Sequence, residues 1–551
     1  MRRLTPQQSR DNKIYAILLT ALAMVSFVVI LIRAHDIINE EQPPIPEVPI
    51  PPNSLYVPPK KKPTPNRLLP VIHVDPNDDN DEDNEDDDEE NQQAENKAQA
   101  INDERRAAVK EAMMHAWSGY KEYAWGSDNL DPVSMGGSDV HGMGATIIAS
   151  LDTLWIMGME KEFNEARDWV RNSFSPKVNS EVSVSETTTA ILGGLLSAYT
   201  LSGDDMFLDK AKALGDRLIR AFAAENVLPY PRINLKTGAV SGAGGNSSLR
   251  DAGTVQLEFL YLSELTGDDS YAEKALEVLD AVWENNRDSD GLVPTCLSLK
   301  DGKKCEGPAR FGNDGNGYYE NLLKLYFFLG GKLSSKARVY RTMFASAMKP
   351  FMKSLVKTSS PSGLKYVARL EDGRTVHKMK HAACAAGGML TMAGTKAFND
   401  KNDEYISAGE AITSTCHEFY SRMASGMAPE AVRFADEKDF RASVKYSLLR
   451  PETVQSYFVN WRLTHNERYR EWGWEMFQAL ESKCKTEAGY AALNDVTKIN
   501  PPKVDSMPAH FLAGTLKYFY LLYSEDNVIS LNDYVFSAEA HPFPVNRNSR
   551  Y

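Results

Sequence analysis

The chain has 551 residues, 42% of them hydrophobic and 25% charged, with five cysteines and a formal net charge of −13. That length admits one large domain of ~450 residues, or two smaller ones, together with accessory segments and a sizeable core. No basic patch with interleaved aromatic residues occurs, which argues against a nucleic-acid partner.

The first element is an uncharged apolar run, Ile14 to Ile32. Its ~19 residues would span roughly 28 Å as a helix, close to the hydrocarbon thickness of a bilayer. The run predicts a single-pass transmembrane helix. It exceeds a signal-peptide core and lacks a clear small-x-small cleavage site, which disfavours the competing signal-peptide reading. Residues 1–13 carry Arg2, Arg3, Arg10 and Lys13, whereas Asp36, Glu40 and Glu41 follow the span. The positive-inside rule therefore keeps the tail cytosolic and puts everything after Arg33 in a lumen or outside the cell. A type II protein of the Golgi or ER membrane is expected, and no retention signal in the tail chooses between the two.

Residues 33–104 have the composition of a disordered stem. Pro43 to Pro65 is Pro-rich and stiffened by polyproline II tendency. Asp75 to Glu90 holds most of the excess negative charge and predicts a solvated, self-repelling spacer.

From Arg105 to the C-terminus helical periods dominate, and the domain is expected to be all-α. One turn recurs. Leu201-Ser202-Gly203-Asp204-Asp205 and Leu265-Thr266-Gly267-Asp268-Asp269 each end an apolar helix, about 64 residues apart, with a weaker copy at Leu463-Thr464-His465-Asn466. Gly at the end of one helix and Asp at the start of the next are helix punctuation, and the spacing fits stacked helical hairpins. Periodicity alone leaves open whether they form an open solenoid or a closed ring.

In an oxidising lumen the cysteines are expected to pair. Cys384 and Cys416 lie on two predicted helices, and their bridge would close a loop of ~32 residues. Cys296 and Cys305 flank a Lys- and Gly-containing loop and form a candidate second bridge, which leaves Cys484 odd. No cysteine or histidine cluster has zinc-ligand spacing. Asn246-Ser247-Ser248 is an N-glycosylation sequon in a Gly-rich loop.

Several segments carry a family resemblance. They are Ala112 to Trp125, Gly144-Ala145-Thr146 with Ser150 to Gly158, Gly193 to Tyr199, and Tyr318-Tyr319-Glu320 with Leu322-Leu323-Lys324. Pro429-Glu430, Leu449 to Thr453, and Glu539-Ala540-His541-Pro542 follow. In this order, over about 440 residues, the chain resembles the class I α1,2-mannosidases of glycoside hydrolase family 47. The resemblance implies an (α/α)7 barrel with its site in the core, high-mannose N-glycans as ligands, inverting hydrolysis and a bound Ca²⁺. Inversion needs a carboxylic acid and a second carboxylate roughly 6.5 to 9.5 Å apart.

A helical Glu taken alone is more often a surface residue or half of an ion pair. The resemblance places Glu186 at the family's general acid and Glu452 at its general base. It also places Glu430 at another core carboxylate, and Glu539 and His381 among substrate-contacting positions. Arg450 is expected to clamp a sugar or to hold one of these acids.

Other positions depart from the family. Asn316 stands where the family has an essential Asp, and an amide neither carries negative charge nor exchanges a proton near neutral pH. Ala190 replaces a sugar-facing Arg, Asp251 a substrate-contacting Glu, and Ala149 an Asp. Gln455 and Pro508 each replace an acidic residue. Ala538 stands at the family's calcium-binding Thr and retains only the backbone carbonyl, so Ca²⁺ binding is expected to be weakened or lost. Three functions are therefore in play: a glycan-binding protein of this family with weak or no hydrolysis, associating with active relatives; a fully active α1,2-mannosidase; and a helical scaffold that binds no glycan.

Overall fold

The computed structural model describes residues 85–551 apart from 224, 243, 288–290, 313–314, 399–401, 436, 547 and 550, with side chains from residue 96 onward. The run expected to span a membrane lies outside these residues, as do the Pro-rich stretch and the start of the acidic run. Among the described residues no helix is long and apolar enough to cross a membrane.

Helix α1 (Glu85–Tyr123) starts ahead of Arg105, inside the segment whose composition reads as stem. Six hairpins follow: α2–α3 (Ala145–Ile156, Glu160–Asn172), α4–α5 (Gly193–Ser202, Asp205–Leu218), α6–α7 (Gln256–Thr266, Ser270–Asn285), α8–α9 (Asn316–Phe328, Ser335–Pro350), α10–α11 (Ala385–Met392, Asp403–Ser421) and α12–α13 (Glu452–Thr464, Arg468–Lys483). Helix α14 (Leu516–Leu522) completes the set. Each even-numbered helix packs on the next, and the turn Phe511–Thr515 leading into α14 returns against α2. The ring is therefore closed, an α/α barrel with seven inner helices. Each odd-numbered helix from α3 to α13 packs on the inner helix before it, and α1 covers α14.

Composition explains which helix goes where. On α4 the residues Gly193 to Ala198 are all buried, and on α6 so are Gln256 to Ser263, because an inner helix is enclosed on every side. Helix α3 buries only Phe163, Ala166 and Val170, one stripe at helical spacing with charged residues opposite. Inner helices also approach closely: a Cβ at Gly194 would lie 2.6 Å from the carbonyl oxygen of Ile148 on α2. The three copies of the recurring turn link inner to outer helices. Gly203, Gly267 and His465 take the left-handed conformation at φ 70°, 76° and 50°. Asp204, Asp268 and Asn466 then accept the backbone N–H two residues on, at 3.1, 3.1 and 3.2 Å.

A C-terminal β-hairpin pairs Tyr534–Phe536 with Pro542–Pro544, Val535 opposite Phe543. It plugs the ring, packing against α4 and α8, with Phe543 fully buried beside Tyr261. Its turn is locked from beneath. Asp152 on α2 meets Lys517 on α14 and His541 of the hairpin, each at 2.8 Å, with all three side chains 0% exposed. Ser197 of α4 donates to Asp152 at 3.0 Å, and Lys517 also donates to the carbonyl of Ala540 at 2.7 Å. The network joins the first and last inner helices to the plug.

Both expected disulfides form, Cys384 at the N-cap of α10 with Cys416 of α11, and Cys296–Cys305, while Cys484 is free and buried. The first closes a loop of 32 residues. Replacing Cys384 and Cys416 together by Ala is expected to cost about 3–4 kcal/mol, mainly through the freed unfolded chain. Urea unfolding of the variant checks this, and an unchanged midpoint would refute it.

Candidate active site

The ring holds a cavity open to solvent whose wall includes Asn316, Glu320, Lys324, Arg450, Glu452, Gln455, His510, Ala538 and Glu539, with Thr189 and Arg250. The inner helices present their N-terminal turns to it. Asn316 and Glu452 are each the first residue of their helix, and Ala538 and Glu539 ride on the plug.

Glu452 is set by the chain just before it. Leu449 adopts φ 58°, a left-handed conformation uncommon for a side chain of this size. The turn is held by Thr515, which donates to Leu449 O at 2.7 Å, and by His510 Nε2, which donates to Leu448 O at 3.0 Å. Arg450 leaves the same turn to donate to Glu430 at 2.6 Å and to stand 3.9 Å from Glu452. His381 Nδ1 lies 3.2 Å from Glu452, and its Nε2 lies 2.9 Å from the Tyr420 hydroxyl and 3.1 Å from that of Thr453. These partners fit the tautomer in which Nδ1 donates to the carboxylate and Nε2 accepts. Burial by itself would raise the Glu452 pKa. The His381 hydrogen bond and the Arg450 charge outweigh it and hold the pKa at about 2. His510 goes the other way: burial and the nearby Arg450 lower its pKa, so the ring facing the cavity is neutral at pH 7.

Glu539 is raised, first by burial and then by the charges of Glu186 and Glu452, against the favourable charge of Arg250. Glu186 itself is exposed, its side chain 54% accessible, and it stands 3.5 Å from Arg250. Asn316 Nδ2 donates to Glu320 at 3.3 Å, and the other Glu320 oxygen meets Lys324 at 3.2 Å.

The cavity therefore brings together Glu452, Asn316, Arg450, Glu539, Gln455 and Ala538, with Glu186 beside its wall and Glu430 and His381 supporting from behind. Asp251 does not line it. Both its oxygens are taken by serines, Ser185 at 2.6 Å and Ser248 at 2.7 Å. Ala190 follows the lining residue Thr189, Ala149 is buried in α2, and Pro508 precedes the lining residue His510. Asn246 is exposed on a short strand, compatible with its sequon. Sequence reasoning assigned no role to Arg250, Lys324, Glu320 or His510, since an isolated Arg or His carries no spacing signal.

Calcium takes six to eight oxygen ligands, several of them anionic. Ala538 offers a carbonyl alone, and Gln455 and Asn316 offer neutral amides. The Lys324 ammonium donates to Ser537 O at 3.2 Å, next to that carbonyl. Three carboxylates in the wall, Glu320, Glu452 and Glu539, face three fixed cations, Arg250, Lys324 and Arg450. These residues do not fit a tight divalent-cation site.

Comparison with known proteins agrees with the geometry. The family model for glycosyl hydrolase family 47 matches residues 112–545. The chain is 42% identical over 472 residues to mannosyl-oligosaccharide α-1,2-mannosidase IA of Drosophila melanogaster, covering 83% of this chain and 70% of that one. It is 40% identical over 459 residues to the IA enzyme of Sus scrofa, covering 81% and 69%. The fold superposes on the α-1,2-mannosidase from Trichoderma reesei with a TM-score of 0.75 at 26% identity, covering 80% of this chain and 99% of that one. On a closed helical ring, a plugged core and a family match spanning nearly the whole of that ring, the chain belongs to glycosyl hydrolase family 47.

Proposed function

We propose that this chain recognises α1,2-linked mannose on high-mannose N-glycans and hydrolyses it weakly or not at all, as a membrane-anchored protein of the Golgi or ER whose barrel lies in the lumen. The observation that carries this reading is the cavity wall itself, where Asn316 presents a neutral amide and Ala538 a bare carbonyl beside Glu452. A general base works best with a pKa near the working pH. Glu452, kept ionised by the His381 hydrogen bond and the Arg450 charge, can accept from a sugar hydroxyl but takes a proton from water only poorly. The amide of Asn316, donating to Glu320, adds no proton exchange. The relatives' names support the ligand class, and the disulfides, the exposed Asn246 and the apolar run at Ile14 to Ile32 support the compartment. Retention of an intact ring beside an altered wall also suits a partner that associates with active relatives.

The test uses the purified full chain and a high-mannose N-glycan. Binding by calorimetry is expected for wild type, with mannose release at background for both wild type and Glu452→Gln. Release by wild type clearly above that of Glu452→Gln would instead establish the active α1,2-mannosidase. Absence of binding and of release would leave the scaffold reading. Calcium titration of the same chain is expected to show no saturable binding tighter than about 1 mM, the weak end of protein calcium sites. A micromolar Kd would show that water and the Ala538 carbonyl suffice.

A further inference from the structure

The chamber's own helix gives Glu186 no cation. Ala190 stands four residues on, in the π-helical stretch Thr187–Leu192, and offers no charge, and the ion-pair partner of Glu186 is Arg250 from another segment. The reason lies in how that segment is docked. Leu249–Gly253 is a single helical turn capped by Ser248, whose hydroxyl accepts the Asp251 N–H at 3.0 Å. Asp251 then bridges Ser248 and Ser185, so its carboxylate is spent clamping this turn to the segment that carries Glu186. With Asp251 turned to the serines, its chain neighbour Arg250 lines the cavity instead. Its guanidinium lies 3.5 Å from Glu186 with the side chain 35% accessible, and its charge is the leading influence favouring ionised Glu539. A guanidinium has five N–H donors, and one ion pair leaves others for ligand hydroxyls.

We propose that Arg250 is the specificity-determining guanidinium of this chamber, holding the Glu186 carboxylate in place and donating to the hydroxyls of a neutral terminal mannose, while Asp251 serves as its positioning residue. The inference rests on the glycan-binding reading and names the side chain that reads the sugar at the Glu186 side of the chamber. A lysine would keep the charge but lose the planar fork.

The experiment measures calorimetric Kd values of the full chain for α1,2-mannobiose. Arg250→Ala is expected to weaken binding by about tenfold, the scale of one lost charge-assisted hydrogen bond. Arg250→Lys is expected to recover only part of the loss, and adding Ala190→Arg to Arg250→Ala to restore most of it. An Arg250→Ala chain that melts like wild type and binds within about twofold of it overturns the proposal. A cycle without ligand separates this from failure of the glycan-binding reading. Ala190→Arg is expected to lower the Tm when Arg250 is present, because two guanidiniums then crowd one carboxylate, and to be tolerated when Arg250 is Ala. If wild type binds no mannobiose, the glycan-binding reading falls while this coupling still judges the Arg250–Glu186 pairing. Additive Tm effects would overturn the pairing.

Discussion

Replacing Lys517 by Met should cost the fold about 3–5 kcal/mol, among the largest effects of any single substitution in the ring. Lys517, Asp152 and His541 are wholly inaccessible, and Asp152 pairs with Lys517 through one oxygen and accepts from His541 through the other, each at 2.8 Å. Burial alone would raise the Asp152 pKa, but the charges of Lys517 and His541 win and lower it. Removing Lys517 strands an ionised or newly protonated carboxyl in the interior and frees the Ala540 carbonyl that fixes the plug. Replacing Asp152 and Lys517 together by Asn and Met should cost less than the single change, because no uncompensated charge then remains. Urea midpoints of the three chains decide this. A single variant losing less than about 1 kcal/mol would mean that the seam is closed by packing and that the ion network is incidental.

The second large effect is a pH dependence centred on Glu258. Its side chain is 0% exposed on α6, and neither carboxyl oxygen makes a well-formed hydrogen bond. Burial raises its pKa to about 8, against the nearby Lys324 and Ser537, which favour the charged form. The unfolded chain ionises this group near its ordinary value of 4.5. Between pH 4.5 and 8 the folded state therefore holds a proton that the unfolded state has released. Stability falls as pH rises through that window and levels off above it. Relative to Glu258→Gln, wild type should lose on the order of 3–4 kcal/mol from pH 5 to pH 8. Subtracting the two stability curves cancels every other titrating group. Parallel curves would show that Glu258 finds a partner, such as a buried water, that keeps it ionised.

Sequence patterning reached the helices because inner and outer elements differ in composition over many residues. Helix α6 is buried on all sides over Gln256 to Ser263, and α3 has a single buried stripe. The recurring Gly-Asp turn marked the hairpins, since few residues other than Gly accept the left-handed conformation cheaply. The exception, His465, keeps the same geometry at φ 50° and made its copy look weaker than it is. The Cys384–Cys416 pair was legible from its place on adjacent helices. The start of α1 at Glu85 was not, because a dense acidic run has the composition of a solvated spacer whether or not its backbone is helical.

What the amino-acid order determined by itself was a mostly helical domain, though small two- and three-stranded sheets lie among its described loops, together with the hairpin repeat and the disulfides. Those are local or countable properties, fixed by side-chain chemistry at each site. Closure of the ring, the pull of His381 and Arg450 on Glu452, and the turning of Asp251 to the serines while Arg250 faces the chamber were decided only in three dimensions. Each depends on groups far apart in the chain meeting where water is scarce. There, a few ångströms settle which carboxyl stays charged and which residue of a pair reaches the ligand.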